Sequence, residues 1–230
     1  MSRPVRVGLM VPANNTTMEG EMLGWLPPGS TCVTLRIPRG AGLLTAETLP
    51  AYKAAAIELG ASFRPMGLDV LAYGCTAAGF ILGPAGDAEI AGELARASGL
   101  PVVTTARSMV DALREAGLRR IALLTPYDDE INERLRAFLA SGDIAVQRFD
   151  SFRAPDVQAL GRITAAQVED RARTLLADDC DALFIACSQL PTQDAIGTLE
   201  REWGRPVLSS IQVTARHALR ATQSKAAGPA

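Results

Sequence analysis

Two cysteines stand where apolar segments give way to small and polar residues. Cys75 lies in the stretch AYGCTAAGF, and Cys187 lies in LFIACSQLP. Each is followed directly by a hydroxyl residue, Thr76 in the first case and Ser188 in the second. Small neighbours let a ligand approach the backbone, and N–H groups at such a junction lower the pKa of a thiol. This setting is typical of a cysteine that acts as a nucleophile or transfers a proton.

The other candidates for polar chemistry are few. Cys32 and Cys180 are interpreted as small buried hydrophobes, as a lone cysteine in an apolar strand usually is. The four cysteines form no CxxC pair, which argues against a disulfide scaffold and a structural zinc site. His217 is the single histidine and is interpreted as a surface or structural residue. There is no GxGxxG after a strand and no GxxxxGK[ST], so we expect chemistry by thiols, without a metal or cofactor.

The two cysteine segments belong to a repeat that divides the chain in two. Apolar runs short enough for strands recur in the same order in both halves. The matched pairs are RVGLMVP with RIALLTP, DVLAYGCT with DALFIACS, and GLPVVTT with GRPVLSS. Further strands are predicted at 30–37 and 144–152. Each half therefore contains four predicted strands.

Helical patterns lie between these strands, so the sequence predicts an α/β fold. We expect two pseudo-symmetric lobes, each a four-stranded, mostly parallel sheet flanked by helices, with the active site in the cleft between them. The final helix, predicted at 212–222, is assigned to the first lobe. Residues 1–105 and 210–230 would then form one lobe and 106–209 the other. Ser108 and Asp128 are expected to begin helices.

Ligands of open parallel sheets bind beyond the carboxyl ends of the strands. The first strand of the first half ends in PANNTTME, in which Asn14 and Asn15 form either a turn that caps a helix or a carboxylate site built from uncharged donors. The equivalent strand of the second half leads to Tyr127, which is either an aromatic of the lobe interface or a phenolic donor to a carboxylate. If the lobes face each other, Cys75 and Cys187 flank one substrate.

Composition excludes several other classes of function. The chain has 230 residues with 48% hydrophobic residues, and its 23 basic and 25 acidic residues form no run of like charge. We therefore expect neither a nucleic-acid partner nor a membrane partner. The N-terminus has neither the length of a membrane span nor a signal-peptide cleavage region, so a cytoplasmic location is expected. The sequence leaves the oligomeric state open, a homo-oligomer included.

These residues resemble the aspartate/glutamate racemase superfamily, which also contains maleate cis-trans isomerases and arylmalonate decarboxylases. VPANNTTME is similar to the P-x-x-N-T-T-x-E signature of maleate isomerases, which begins here at Pro12 and places a carboxylate-binding asparagine at Asn15. GLRRIALLTPYDDEINERLRAFLA and GRPVLSS instead resemble the decarboxylases. The resemblance implies that Cys75 and Cys187 are the two family cysteines, that Tyr127 binds a carboxylate, and that Thr76 supplies the hydroxyl of an oxyanion site.

Two departures from the family patterns bear on the reaction. The decarboxylases generally have glycine at the first cysteine position, whereas this chain has Cys75. The second-lobe asparagine of the isomerases is not evident in RAPDVQALGR, which offers Asp156 and Gln158. The leading hypothesis is isomerisation of maleate or a similar small dicarboxylate through a thiol adduct. Racemisation by two thiols, decarboxylation with Cys187 alone and a non-catalytic carboxylate-binding module are the alternatives.

Overall fold

The computed structural model describes the backbone of residues 3–226 and the side chains of residues 3–223. It contains two four-stranded sheets in which every strand pair is parallel. The strands of the first sheet are β1 (Arg6–Pro12), β2 (Thr31–Ile37), β3 (Val70–Tyr73) and β4 (Val102–Thr104). Those of the second are β5 (Arg120–Thr125), β6 (Ala145–Ser151), β7 (Ala182–Ile185) and β8 (Val207–Ser209). The order β2-β1-β3-β4 in one sheet and β6-β5-β7-β8 in the other confirms the predicted pseudo-symmetric fold.

Helices connect the strands throughout the described chain. In the first half they are α1 (Met18–Trp25), α2 (Leu49–Gly60), α3 (Thr76–Phe80), α4 (Gly83–Ser98) and α5 (Thr105–Glu115), with a 3₁₀ helix at Ala61–Met66. In the second half they are α6 (Asp129–Ala140), α7 (Val157–Gly161), α8 (Ala165–Arg173), α9 (Gln193–Trp203) and α10 (Ser210–Ala226). The short helices α1, α3 and α7 were not predicted, since each offers too few turns for a helical period to show.

Helices begin next to side chains that can accept a hydrogen bond from a backbone N–H group of the first turn. Asp128 caps α6, as predicted, by accepting from the N–H of Ile131. The prediction that Ser108 begins a helix is wrong, because α5 begins at Thr105 and the hydroxyl of Thr104 accepts from the N–H of Arg107. Ser108 is buried within that helix. Thr104, the first hydroxyl residue of this stretch, therefore caps the helix.

The last helix packs on the first sheet. Ile211, Ala215 and Ala218 of α10 share a buried cluster with residues of β1, β3 and α1. Helix α5 contacts α3, β4 and α10, so it lies beside the first lobe as well. The packing of α10 supports its assignment to the first lobe, and the boundaries of the two lobes stay a prediction. None of the helices in the described part of the chain is both long and apolar enough to cross a membrane.

Candidate active site

One cavity between the lobes brings together the eight residues that the sequence analysis assigns to a catalytic or substrate-binding role. The centre of a water-sized sphere can occupy about 40 Å³ of it. The predicted residues that line it are Pro12, Asn14, Asn15, Cys75, Thr76, Tyr127, Cys187 and Ser188. The remaining lining residues are Arg39, Leu43, Leu44, Ala77, Ile131, Leu160 and Gln189. The pseudo-symmetric sheets thus aim their carboxyl ends at a shared space, where ligands of parallel sheets bind.

Cys75 lies two residues beyond the end of β3, at the position that precedes α3. Burial raises the pKa of its thiol, while the backbone N–H of Ala78, the charge of Arg39 and the hydroxyl of Tyr52 act in the opposite direction. The Tyr52 hydroxyl is itself buried and makes no hydrogen bond of standard geometry. The polar groups around Cys75 therefore offset part of the effect of burial, and they favour the thiolate, which is the nucleophilic form.

Cys187 occupies the equivalent position after β7 in the second lobe. Burial raises the pKa of its thiol to about 11, although the N–H of Gln189 and the hydroxyl of Tyr127 oppose that effect. The Gln189 N–H lies 3.4 Å from Cys187 Sγ. Negative charge on Cys75 raises the pKa of Cys187 further. When Cys75 is ionised, Cys187 therefore remains a thiol, so the pair can present a nucleophile and an acid at once.

Tyr127 connects the two cysteine positions. It is buried, and burial together with the charges of the two cysteines raises the pKa of its hydroxyl well above the ordinary value. The phenol consequently stays protonated and can donate to Cys187 or to a carboxylate. Its ring packs edge to face against Phe80, with 5.5 Å between the ring centroids. This contact limits the movement of the ring that carries the hydroxyl.

Thr76 and Asn14 present polar atoms that have no partner in the described structure. The Thr76 hydroxyl and the Asn14 side-chain carbonyl oxygen are both buried without a hydrogen bond. An unpaired buried polar group costs roughly 1–3 kcal/mol, so such groups are expected where a ligand completes their bonding. Asn15 differs, because its Nδ2 donates to the carbonyl of Ser188 at 3.0 Å and its Oδ1 accepts from the N–H of Met18 at 3.0 Å.

Arg39, Gln189 and Tyr52 are site residues that sequence reasoning missed. Gln189 fastens the loop after β7 to the loop after β1, since its Oε1 accepts from the N–H of Thr16 at 3.0 Å. Arg39 belongs to the irregular segment 38–48, whose contacts no periodicity reveals. The donors that the sequence offers at Asn14 and Asn15 are uncharged, and Arg39 adds a cation to the cavity that they line. The folded chain places this cation, which follows β2 in the sequence, at the wall of the cavity.

The described residues contain no cluster of histidine, cysteine, aspartate or glutamate that could hold a metal ion. All four cysteines are free thiols. The polar groups that face the cavity are thiols, amides, hydroxyls and one guanidinium. These groups can bind carboxylates, add to an activated double bond and move protons.

Comparison with known proteins agrees with this geometry. A family model described as arylmalonate decarboxylase matches residues 36–229. The chain belongs to the arylmalonate decarboxylase family. It is 33% identical to an arylmalonate decarboxylase of Bordetella bronchiseptica over 74% of this chain and 72% of that protein. It is also 30% identical to a maleate isomerase of Nocardia farcinica, over 97% of this chain and 92% of the relative.

A solved structure that resembles this chain contains a covalent intermediate. The chain superimposes with a TM-score of 0.87 and 28% identity on a Nocardia farcinica maleate cis-trans isomerase, covering 96% of this chain and 94% of that one. That protein is a cysteine-to-serine mutant with a covalently bound succinylcysteine intermediate. These findings confirm the predicted membership in the maleate isomerase and arylmalonate decarboxylase branch of the aspartate/glutamate racemase superfamily. They also support the classification of this chain as an isomerase.

Proposed function

We propose that this protein isomerises a small cis-unsaturated dicarboxylate, such as maleate, to the trans isomer without a cofactor. The observation that carries the proposal is the presence of Cys75 and Cys187 in one cavity, one from each lobe, with different electrostatic surroundings. Relatives named maleate isomerase over nearly the whole chain support the same reaction.

The Cys75 thiolate adds to one alkene carbon, so that a C–S bond forms and the π-electron pair moves to the neighbouring carbon. The Cys187 thiol donates a proton to that carbon, which leaves a succinyl adduct with a single C–C bond. Rotation about this bond exchanges the cis and trans arrangements. Cys187 then removes a proton, the C–S bond breaks and the double bond re-forms, which restores both cysteines. Tyr127 and Thr76 supply donors for the carboxylate whose charge develops during addition.

The proposal is tested by incubating the protein with maleate and following fumarate by proton NMR. We expect fumarate to form in the wild type, and Cys75→Ser to abolish its formation. In Cys187→Ser we expect an adduct with the mass of one maleate on the peptide that contains Cys75. Cys180→Ser, at a buried position outside the cavity, serves as the control and should remain active. Full activity of Cys75→Ser would refute the mechanism.

A second candidate is racemisation of a carboxylate with an apolar α-substituent. The apolar side chains of Leu43, Leu44 and Leu160 favour it, since they form a wall that could hold such a substituent. In this reaction the two thiols remove and return the α-proton from opposite faces. Loss of optical activity with deuterium uptake at the α-carbon in D₂O would assign it. Release of CO₂ from an arylmalonate that survives Cys75→Ala but not Cys187→Ala would instead assign decarboxylation.

A further inference from the structure

Arg39 is a cation in a cavity that otherwise holds neutral side chains and thiols. Among the described residues that line the cavity, Arg39 alone carries a fixed charge. Its Nη2 donates to the carbonyl of Gly42 at 2.5 Å, which holds the side chain against its own loop. Its Nε is buried and has no hydrogen-bond partner in the described structure. The Nε donor of the guanidinium is thus left for a ligand, and leaving it buried and unpaired is unfavourable.

The guanidinium lies within electrostatic reach of the reacting thiol. Its charge lowers the pKa of Cys75 and acts in the same direction on the hydroxyl of Tyr52. The second lobe lines the cavity with the apolar side chains of Ile131 and Leu160 and with polar residues that carry no fixed charge, namely Tyr127, Cys187, Ser188 and Gln189. A cation at Arg39 is therefore the counter-charge that this cavity offers.

A dicarboxylate brings two negative charges to a site that also forms a thiolate. The donors at Asn14, Thr76 and Tyr127 are uncharged and can satisfy one carboxylate by hydrogen bonds. A second carboxylate beside apolar walls would lack a counter-charge, and burial of an unpaired charge is costly. A guanidinium matches a carboxylate in shape and forms charge-assisted hydrogen bonds with it.

We propose that Arg39 binds the second carboxylate of the substrate and thereby makes the site selective for dicarboxylates. This inference rests on the proposed function, whose substrate class it specifies. Arg39 is then a specificity residue: it decides which molecule the two cysteines act on, while the bond changes take place at Cys75 and Cys187.

The first test compares maleate with maleamate, which keeps the cis double bond and one carboxylate but carries an amide at the other end. We expect Arg39→Gln to lower kcat/KM for maleate by roughly 10- to 100-fold through KM, the range for loss of a charge-assisted contact, while kcat/KM for maleamate changes much less. Arg39→Lys should be intermediate. Arg162→Gln, an exposed arginine outside the cavity, is the matched control and should leave both values unchanged.

The ratio of the two kcat/KM values separates binding from thiol activation, because the same Cys75 attacks both substrates. Any loss of thiolate caused by Arg39→Gln slows both reactions equally and cancels in the ratio. An unchanged ratio in Arg39→Gln would overturn the proposal, and would leave Arg39 with a role only in the loop or in the reactivity of Cys75.

A binding measurement keeps this inference distinct from the proposed function. Succinate and its monomethyl ester have no double bond for a thiol to attack, and their affinities can be compared by calorimetry. We expect the wild type to prefer succinate and Arg39→Gln to lose that preference. If this holds while maleate is not isomerised, the proposed function fails and the Arg39 site stands. If the wild type shows no preference for succinate, the Arg39 inference fails whatever the turnover.

Discussion

Asn15 and Ser188 are 173 positions apart in the chain, yet Asn15 Nδ2 donates to the Ser188 carbonyl at 3.0 Å. The Ser188 hydroxyl in turn donates to the carbonyl of Gly74 at 2.7 Å, directly before Cys75. The loops after β1, β3 and β7 are therefore tied together beside the reactive cysteines. Two of these loops come from the first lobe and one from the second, so the site exists only when both lobes are folded.

We expect Asn15→Ala to lower the free energy of unfolding by about 2 kcal/mol, because a helix-capping acceptor and a buried inter-lobe hydrogen bond are lost together. Its Oδ1 accepts from the N–H groups of Thr17 and Met18 at the start of α1. Urea denaturation measures the change. Asn14→Ala is the matched control, since the Asn14 carbonyl oxygen has no partner in the described structure. Equal losses in the two variants would contradict this account.

The alkylation rate of Cys187 should rise about tenfold per pH unit between pH 7 and pH 10, because only the thiolate reacts. Burial raises the pKa of this thiol to about 11, so the reactive fraction grows over the whole interval. The measurement uses iodoacetamide on the wild-type protein, and mass spectrometry of the labelled peptides separates Cys187 from Cys32, Cys75 and Cys180. A rate that levels off near pH 7 would show that Cys187 is a thiolate at rest.

Gly74 should tolerate no side chain. A Cβ at this position would lie 2.5 Å from Met18 Sδ and 2.9 Å from the backbone oxygen of Met10. We expect Gly74→Ala to destabilise the fold by roughly 1–3 kcal/mol through overpacking and to displace the adjacent Cys75. Gly20→Ala is the control, because Gly20 is an exposed position of α1 with open space around it. That variant should gain roughly 0.5–1 kcal/mol from helix propensity. Thermal melts show whether the melting temperature falls, as expected for Gly74→Ala, or rises, as expected for Gly20→Ala.

Asp87 should make the protein less stable as the pH rises from 4 to 7. Burial raises the pKa of its carboxyl to about 6, whereas the hydroxyl of Thr104, which donates to Oδ2 at 2.8 Å, opposes that effect. Between the unfolded and the folded pKa, the unfolded chain ionises while the native carboxyl stays protonated, so native stability falls by about 3 kcal/mol across this range. Asp87→Asn should remove this component. Denaturation of the wild type and of Asp87→Asn at pH 4.5 and pH 7 measures this pH-dependent part of the free energy of unfolding. If the free energy of unfolding changed equally with pH in both proteins, the prediction would be refuted.

Much of the fold could be predicted because buried parallel strands are short apolar runs that recur in order. The positions of Cys75 and Cys187 followed from that repeat, and the cavity contains both. The strands end earlier than predicted, however, with β3 ending at Tyr73 and β7 at Ile185. The backbone stops pairing with the neighbouring strands before each cysteine, so each cysteine lies beyond the sheet, where the cavity is. No pattern of apolar residues marks such a point.

The parts of the site that escaped prediction depend on contacts distant in sequence. Arg39 enters the cavity from an irregular segment, and its role depends on the position of Cys75. Gln189 bonds to Thr16 and Thr17, which only the facing of the two lobes brings close. In the sequence these residues look like ordinary polar residues of loops. Contacts between loops leave no periodic pattern in the sequence, so they could not be predicted.

The ties between the loops also decide how a small molecule reaches the cysteines. Besides Asn15 and Ser188, the carboxylate of Glu21 accepts from the N–H of Thr192 at 2.6 Å, so separation of the lobes on that side would break several buried bonds at once. Segment 38–48 bonds to the second lobe through the Ala41 carbonyl, which accepts from the N–H of Val157 at 3.3 Å. We therefore expect substrate and product to pass this segment, which the hydrogen bond to Val157 holds, rather than a gap opened between the lobes.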